Sequence, residues 1–143
     1  MRVCGVDLTG SDAVIVLLVQ GKDALTFPDS RVRKLTLKKS HTTEDLRQFQ
    51  QDFSRLMGDY SADRVVIRER MHKGKFAGGA ISFKLESAIQ LIPALEVSLI
   101  SPSQIKSVLA ENPLSFKFSE TGLKIFQENA FKTAYAAARQ ALN

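Results

Sequence analysis

The first twenty residues contain two β-rich runs joined by a short turn, and this arrangement constrains the fold more than any other part of the chain. The runs are Arg2 to Leu8 and Ala13 to Gln20, and the four residues between them, Thr9 to Asp12, have turn-forming chemistry. Two runs of this length, so closely joined, predict an antiparallel hairpin.

After the hairpin, the pattern changes to alternating helices and strands. The predicted elements are, in chain order, an edge strand over Arg31–Lys39, a helix that Thr43 caps, a strand over Arg64–Arg70, a helix over Ala77–Ile92, a strand over Leu95–Ile100, a helix starting at Ser101–Pro102 and an alanine-rich helix over Thr121–Leu142. This order predicts an α/β fold with a five-stranded mixed sheet. An antiparallel meander of three strands precedes two parallel strands, and helices cover both faces.

Composition excludes several classes of protein. The 143 residues, 44% of them hydrophobic and 24% charged, are typical of one globular domain, so residues 1–143 are expected to form a single domain. Cys4 is the one cysteine, which excludes a disulfide framework and a cysteine-rich zinc site. No apolar run approaches membrane-spanning length, and the chain opens on a strand pattern rather than a signal peptide. We therefore expect a soluble, cytoplasmic protein with no membrane partner.

Three short motifs resemble those of RuvC-type resolvases, which belong to the ribonuclease H-like superfamily. The run from Val3 to Ser11 resembles their first strand, in which an aspartate follows a hydrophobic-Gly-hydrophobic pattern. Val65 to Arg70 resembles their fourth strand, and Ser103 to Val108 resembles the segment after their fifth. The resemblance implies a ribonuclease H-like fold, of which an uncharacterised bacterial family is an equally compatible example. It also implies a divalent-metal nuclease that acts on nucleic acid.

Asp7 and Glu69 are the candidate metal ligands. Side chains alternate along a strand, so Val3, Gly5 and Asp7 share one face of the first strand. For the same reason, Glu69 shares a face with the residues two and four positions before it. If the two strands are parallel neighbours, both carboxylates lie at their carboxyl ends, and Mg²⁺ or Mn²⁺ bound between them would relieve their repulsion. Two purely structural roles are alternatives. Asp7 would stabilise the turn after its strand, and Glu69 would be a solvated residue that pairs with neighbouring arginines.

The last helix departs from the RuvC pattern. RuvC-like enzymes have further acidic residues at its start, whereas this chain has Ala130 and Thr133 at the matching positions. Glu128, just upstream, is the candidate third ligand and catalytic carboxylate. Lys132 equally suggests that a fixed charge has replaced one metal ion. We therefore expect a catalytic set of Asp7, Glu69 and Glu128, although the acidic motif of the last helix is incomplete.

Basic residues are the candidates for binding the substrate. Lys73 and Lys75 lie in a glycine-containing loop, Lys106 follows the predicted fifth strand, and the net charge is +5. Such residues suit the phosphates of structured DNA or RNA, although a solvated surface loop is as compatible with the pattern. Two functions follow as alternatives: a metal-dependent nuclease or nucleic-acid-processing factor, and a non-catalytic domain that binds nucleic acid or a protein. A homodimer is compatible with either.

Overall fold

The computed structural model describes residues 1–22, 24–28, 30–74 and 79–142, with side chains described to residue 140. Within these residues the chain forms six strands and four α-helices. They are, in chain order, β1 (Arg2–Thr9), β2 (Asp12–Gln20), β3 (Leu25–Thr26), β4 (Lys34–Thr36), α1 (Thr43–Asp59), β5 (Arg64–Arg68), α2 (Ala80–Gln90), β6 (Val97–Ile100), α3 (Pro102–Glu111) and α4 (Glu128–Leu142). Two short 3₁₀ helices, Phe118–Glu120 and Ile125–Gln127, precede α4.

The strands form one mixed sheet in the order β3-β2-β1-β5-β6, and β4 also pairs with β2. The β1–β2 hairpin is antiparallel over its whole length, from Arg2 opposite Val19 to Thr9 opposite Asp12. β5 is parallel to β1, and β6 is parallel to β5. The predicted antiparallel start and parallel continuation are therefore confirmed.

The sheet has one strand more than the five expected. The additional strand, β3, has two residues and pairs with the end of β2 through Val19 and Gln20. A two-residue strand is too short to produce an alternating pattern, which is why the sequence does not reveal it. The predicted strand over Arg31–Lys39 is observed as the shorter β4.

Helices cover both faces of the sheet, as predicted. On one face, α1 and α2 pack on alternate residues of the central strands, including Cys4, Val6, Val65 and Ile67. On the other face, Val3 and Val66 pack with α3 and α4. The residues described include no helix that is both long and apolar enough to cross a membrane.

The helix boundaries follow from local capping chemistry. Ser101 caps α3 and Pro102 occupies its first turn, as expected from the sequence. The cap of α1 is Thr42 rather than Thr43, because the Thr42 hydroxyl accepts a hydrogen bond from the Asp45 backbone N–H, and the Asp45 carboxylate accepts one from the Thr42 N–H. The predicted start of the second helix at Ala77 lies outside the described residues.

A close contact between α4 and β1 fixes the position of the last helix. Ala130, Ala134, Ala137 and Ala138 are buried on its inner face. A Cβ added at Gly5 would lie 2.2 Å from the Ala130 carbonyl oxygen. The helix therefore lies directly on β1, and its first turn is next to the carboxyl end of that strand.

Candidate functional site at the carboxyl edge of the sheet

The candidate site lies where the parallel strands β1, β5 and β6 end. Asp7 is near the carboxyl end of β1 and only 7% of its surface is exposed. α3 begins immediately after β6, and α4 begins over β1. Polar side chains from four elements therefore meet at this edge, which is the usual location of binding sites in open α/β sheets.

The strand register sets the neighbour of Asp7. Gly5 is paired with Val66, and Val6 with Ile67, so the next pair across the two strands is Asp7 with Arg68. Val66 packs on the α3 and α4 side of the sheet. Because side chains alternate along a strand, Arg68 lies on that side as well, on the same face as Asp7.

The surroundings of Asp7 are cationic. Burial raises the pKa of the Asp7 carboxyl above its ordinary value. The charges of Arg68 and Arg70 and a hydrogen bond from the Asn129 side chain lower this pKa and offset part of the rise. Asp7 is thus a buried carboxylate that two guanidinium groups and an amide partly stabilise.

Glu69 lies one residue beyond the end of β5 and is exposed to solvent. Its backbone N–H donates to the Ile100 carbonyl oxygen at 2.9 Å, so the strand geometry continues to this residue. Because side chains alternate along a strand and Arg68 is on the same face as Asp7, the Glu69 side chain lies on the opposite face. The strands are parallel neighbours, as the metal prediction required, but the register is not the one that would bring the two carboxylates together.

Glu128, the third predicted ligand, is the first residue of α4 and is half-buried. The residue of this turn that contacts Asp7 is the next one, Asn129. Asn129 is a neutral amide, and one helical turn later the chain presents Lys132 at the same edge. The start of α4 therefore supplies an amide and a cation to the site.

These side chains do not fit a divalent metal centre. Among the residues described, no three His, Cys, Asp or Glu side chains lie close enough together to hold an ion. Mg²⁺ prefers several oxygen ligands, and a two-metal centre needs carboxylates to balance its charge. Asp7 instead has Arg68 and Arg70 beside it. The predicted Mg²⁺ or Mn²⁺ site of Asp7, Glu69 and Glu128 is not assembled by this arrangement.

A cavity of about 220 Å³ opens beside Arg68 and Asn129, two of the residues that act on Asp7. It lies between β5, α3 and the first turns of α4, and its lining residues are Arg68, Pro102, Ile105, Lys106, Leu109, Asn129 and Lys132. Three of these residues are cationic and none is acidic. We call it the cation cavity, and its chemistry suits an anion such as a phosphate group.

Arg70, whose charge acts on Asp7, adds a further donor. Its Nε atom is buried and has no hydrogen-bond partner in the part of the chain that the structure describes. Buried donors of this kind are normally satisfied by a ligand or by water. The donor lies on the same residue whose charge acts on Asp7, so the site has hydrogen-bonding capacity that its own side chains do not use.

The predicted substrate-binding lysines differ in position. Lys106 is exposed on α3 and lines the cation cavity together with Arg68. Lys73 is exposed in the loop after β5, at the same edge of the sheet. Lys75 lies outside the described residues.

Sequence reasoning missed Arg68, Arg70 and Asn129 as site residues. Arg68 could not be recognised as a site residue because β5 is apolar on both faces. The sequence of β5 therefore does not reveal which side each of its residues faces. The spacing of Lys132 three residues after Asn129 was a usable signal, since residues so spaced share a helix face. That lysine is the residue for which the sequence suggests a fixed charge in place of a metal ion.

Comparison with known proteins assigns the chain to a family. The chain belongs to the family described as "Protein of unknown function (DUF3010)", which it matches over residues 1–137. No curated protein matches it in sequence.

Among solved structures, the chain is similar to RuvC from Thermus thermophilus, with a TM-score of 0.75, 16% identity, and coverage of 99% of this chain and 96% of that one. T. thermophilus RuvC in complex with a Holliday junction substrate gives a TM-score of 0.72, 13% identity and coverage of 99% and 95%. The fowlpox virus resolvase in complex with Holliday junction DNA gives 0.58, 13% identity and coverage of 99% of both chains. The resemblance to RuvC-type resolvases is therefore confirmed at the level of fold.

Proposed function

We propose that this chain is a nucleic-acid-binding domain of the RuvC fold that holds the phosphate backbone in the cation cavity. The observation that carries the proposal is the lining of that cavity, in which Arg68, Lys106 and Lys132 converge without an acidic residue. Three cations around one concave site would bind phosphate and release the counterions that surround nucleic acid. The net charge of +5 acts in the same direction.

The cavity also has the geometry that phosphate recognition needs. Arg68 extends from a central strand, and Lys132 from a helix packed on that strand, so their backbones are fixed by the core. Lys106 is more exposed and supplies charge at the rim. Fixed cations contribute more to binding than flexible ones, because less conformational entropy is lost when the ligand binds.

Structured DNA is the ligand class we favour. The similar RuvC and fowlpox resolvase structures hold Holliday junction DNA. The domain that binds DNA in those proteins and this chain have the same fold. Lys73, exposed in the loop after β5, would contact a further phosphate. We propose that residues 1–143 act as one domain in this role.

A divalent-metal nuclease is the second candidate function. The position of Asp7 at the carboxyl end of β1 favours it, since this is the aspartate that carries the resemblance to RuvC-type enzymes. For this function Asp7, Glu69 and Glu128 would need to rearrange around Mg²⁺ or Mn²⁺. The cations now surrounding Asp7 make the binding function the better supported of the two.

The test is the salt dependence of DNA binding. Fluorescence anisotropy with duplex and four-way junction DNA, at several salt concentrations, would compare wild type with Lys106→Ala, Lys132→Gln and the double variant. We expect weaker binding to every sequence. The slope of log K against log salt should fall by about 0.9 for each lysine–phosphate interaction that a substitution removes.

Lys22→Ala is the matched control, because it removes the same charge from an exposed residue at the opposite edge of the sheet, where Gln20 hydrogen-bonds to Met1. Loss of binding that is equal in Lys22→Ala and in Lys132→Gln would contradict a localised phosphate site. Unchanged binding in the double variant would overturn the proposal.

A further inference from the structure

Two large apolar side chains are exposed directly before α4. Ile125 is 89% exposed and Phe126 is 48% exposed, although both belong to an ordered 3₁₀ helix. Leaving such side chains in water forgoes the free energy of burying them. Exposed apolar surface that is held in place often marks a binding site.

Gln127 holds this apolar pair outward. Its side chain is 1% exposed, and its Nε2 donates to the Ile15 carbonyl oxygen at 3.0 Å. Its Oε1 accepts from the Lys124 backbone N–H at 3.0 Å. The turn is thus fixed both to β2 and to itself, and Ile125 and Phe126 project from a rigid support.

The apolar pair lies on the same side of the sheet as the cation cavity. Asp7 pairs with Val14 across β1 and β2, and Val14 pairs with Lys34 across β2 and β4. Val14 packs with Ala130 and Phe131 of α4, so this row faces that helix. Lys34 Nζ is 5.7 Å from the centre of the Phe126 ring. Lys34 and Arg68, which lines the cavity, are three strand spacings apart, which is about 14 Å.

We propose that Phe126 stacks on, and Ile125 packs against, an unpaired base of a nucleic acid whose phosphates occupy the cation cavity. This inference rests on the proposed function and adds a ligand class to it, namely DNA with unpaired or splayed bases, as at a branch point. Aromatic side chains next to cations are the usual platform for single bases, since every base has a π-face while the cations bind the backbone.

Charge complementarity favours nucleic acid over a protein partner at this position. The two apolar residues are flanked by the exposed Lys124 and by Lys34, whose ammonium lies over the Phe126 ring and 3.7 Å from the Asp12 carboxylate. A base that stacks on Phe126 would keep its own phosphate within reach of these cations. The span of about 14 Å from Lys34 to Arg68 allows one strand to reach both features.

The experiment compares two DNA ligands of the same length, a perfect duplex and a duplex with a three-base unpaired bulge that contains 2-aminopurine. Phe126→Ala should weaken binding to the bulged DNA by about tenfold, as expected when one stacking interaction is removed, and leave duplex binding unchanged. The wild type should also change the 2-aminopurine fluorescence on binding, and Phe126→Ala should not. Phe126→Trp should restore both effects.

Leu91→Ala is the control variant. Leu91 is 73% exposed at the end of α2, so this substitution removes a comparable exposed apolar side chain that lies outside the site. Thermal unfolding of each variant would show that the fold is retained.

The outcomes separate this inference from the proposed function. Equal affinity of wild type and Phe126→Ala for bulged DNA, while Lys132→Gln still weakens duplex binding, would overturn the stacking inference and leave the phosphate site intact. If neither variant alters binding, both proposals fail. If Phe126→Ala abolishes self-association or capture of a protein without affecting DNA, the apolar pair is a protein-binding surface and the inference is wrong.

Discussion

Arg68 lies beside Asp7 on the neighbouring parallel strand, and its positive charge opposes the rise in the Asp7 pKa that burial causes. A buried carboxylate next to a guanidinium group differs chemically from a pair of carboxylates that share a metal ion. This pairing puts a guanidinium group, rather than a second carboxylate, beside Asp7. It also makes the stability of the protein depend on the charge of Asp7.

Replacing Asp7 with asparagine should stabilise the protein at neutral pH. The folded-state pKa of Asp7 is raised above its unfolded value, so its contribution to stability is fully present below the unfolded pKa, about 3.9, and is lost as pH rises through the folded pKa. At pH 7 the ionised carboxylate therefore costs stability. We expect Asp7→Asn to raise the melting temperature at pH 7 and to lose this advantage near pH 4. A melting temperature that falls at pH 7 would show that the charges of Arg68 and Arg70 outweigh the burial of Asp7.

Gly5→Ala should destabilise the fold because it inserts a methyl group between β1 and α4. The new Cβ would lie 2.6 Å from the Ala134 backbone nitrogen, and neither backbone moves without disturbing the core. We expect a loss of about 3 kcal/mol in the free energy of unfolding, measured by urea denaturation. Gly58→Ala is the control: Gly58 lies in α1 with open space around it, and alanine there should add about 0.5–1 kcal/mol. Similar effects of the two substitutions would contradict the close contact.

The Cys4 thiol should be inert in the folded protein. It is 1% exposed in the core between the sheet and the helices α1 and α2, and burial raises its pKa to about 12. Almost no thiolate is then present at pH 8, and reagent cannot reach the sulfur. A disulfide reagent that releases a coloured thiol should react with Cys4 only after unfolding in urea. Rapid reaction under native conditions would show that the first strand opens locally.

Thr42→Ala should cost about 1 kcal/mol of stability, since it removes the hydroxyl that caps α1. Thr43→Ala, one residue later, should have a much smaller effect. Urea denaturation of the two variants measures the difference. A larger loss of stability in Thr43→Ala would show that Thr43 is the helix cap, as the sequence predicts.

The sequence predicts most of the fold because its local signals agree with one another. The tight turn after Leu8 specifies the hairpin, and the Ser101–Pro102 pair specifies the start of α3. The alanines of α4 predict close packing, which Gly5 makes possible. The boundaries of α4 were less predictable: the polar and apolar pattern from Thr121 onward suits a helix, but the chain forms a 3₁₀ turn there and begins α4 at Glu128.

The site was harder to predict because it depends on register rather than on residue type. β5 is apolar at Val65, Val66 and Ile67, so its sequence does not reveal whether Arg68 or Glu69 faces Asp7. The same holds for Glu128 and Asn129 at the start of α4, where a shift of one residue rotates the side chain by about 100°. The types of residue at the edge were evident, but their pairing was set by tertiary packing.

The most direct test of metal-independent phosphate binding compares DNA binding and cleavage in EDTA with the same measurements in Mg²⁺ or Mn²⁺, at matched ionic strength. Wild type, Asp7→Asn and Lys132→Gln would be measured on four-way junction DNA. We predict affinity in EDTA at least as high as with metal, weakened by Lys132→Gln, and no cleavage that depends on Asp7. Binding or cleavage that requires the metal ion and disappears in Asp7→Asn would contradict this prediction, and would support a metal centre built from Asp7, Glu69 and Glu128.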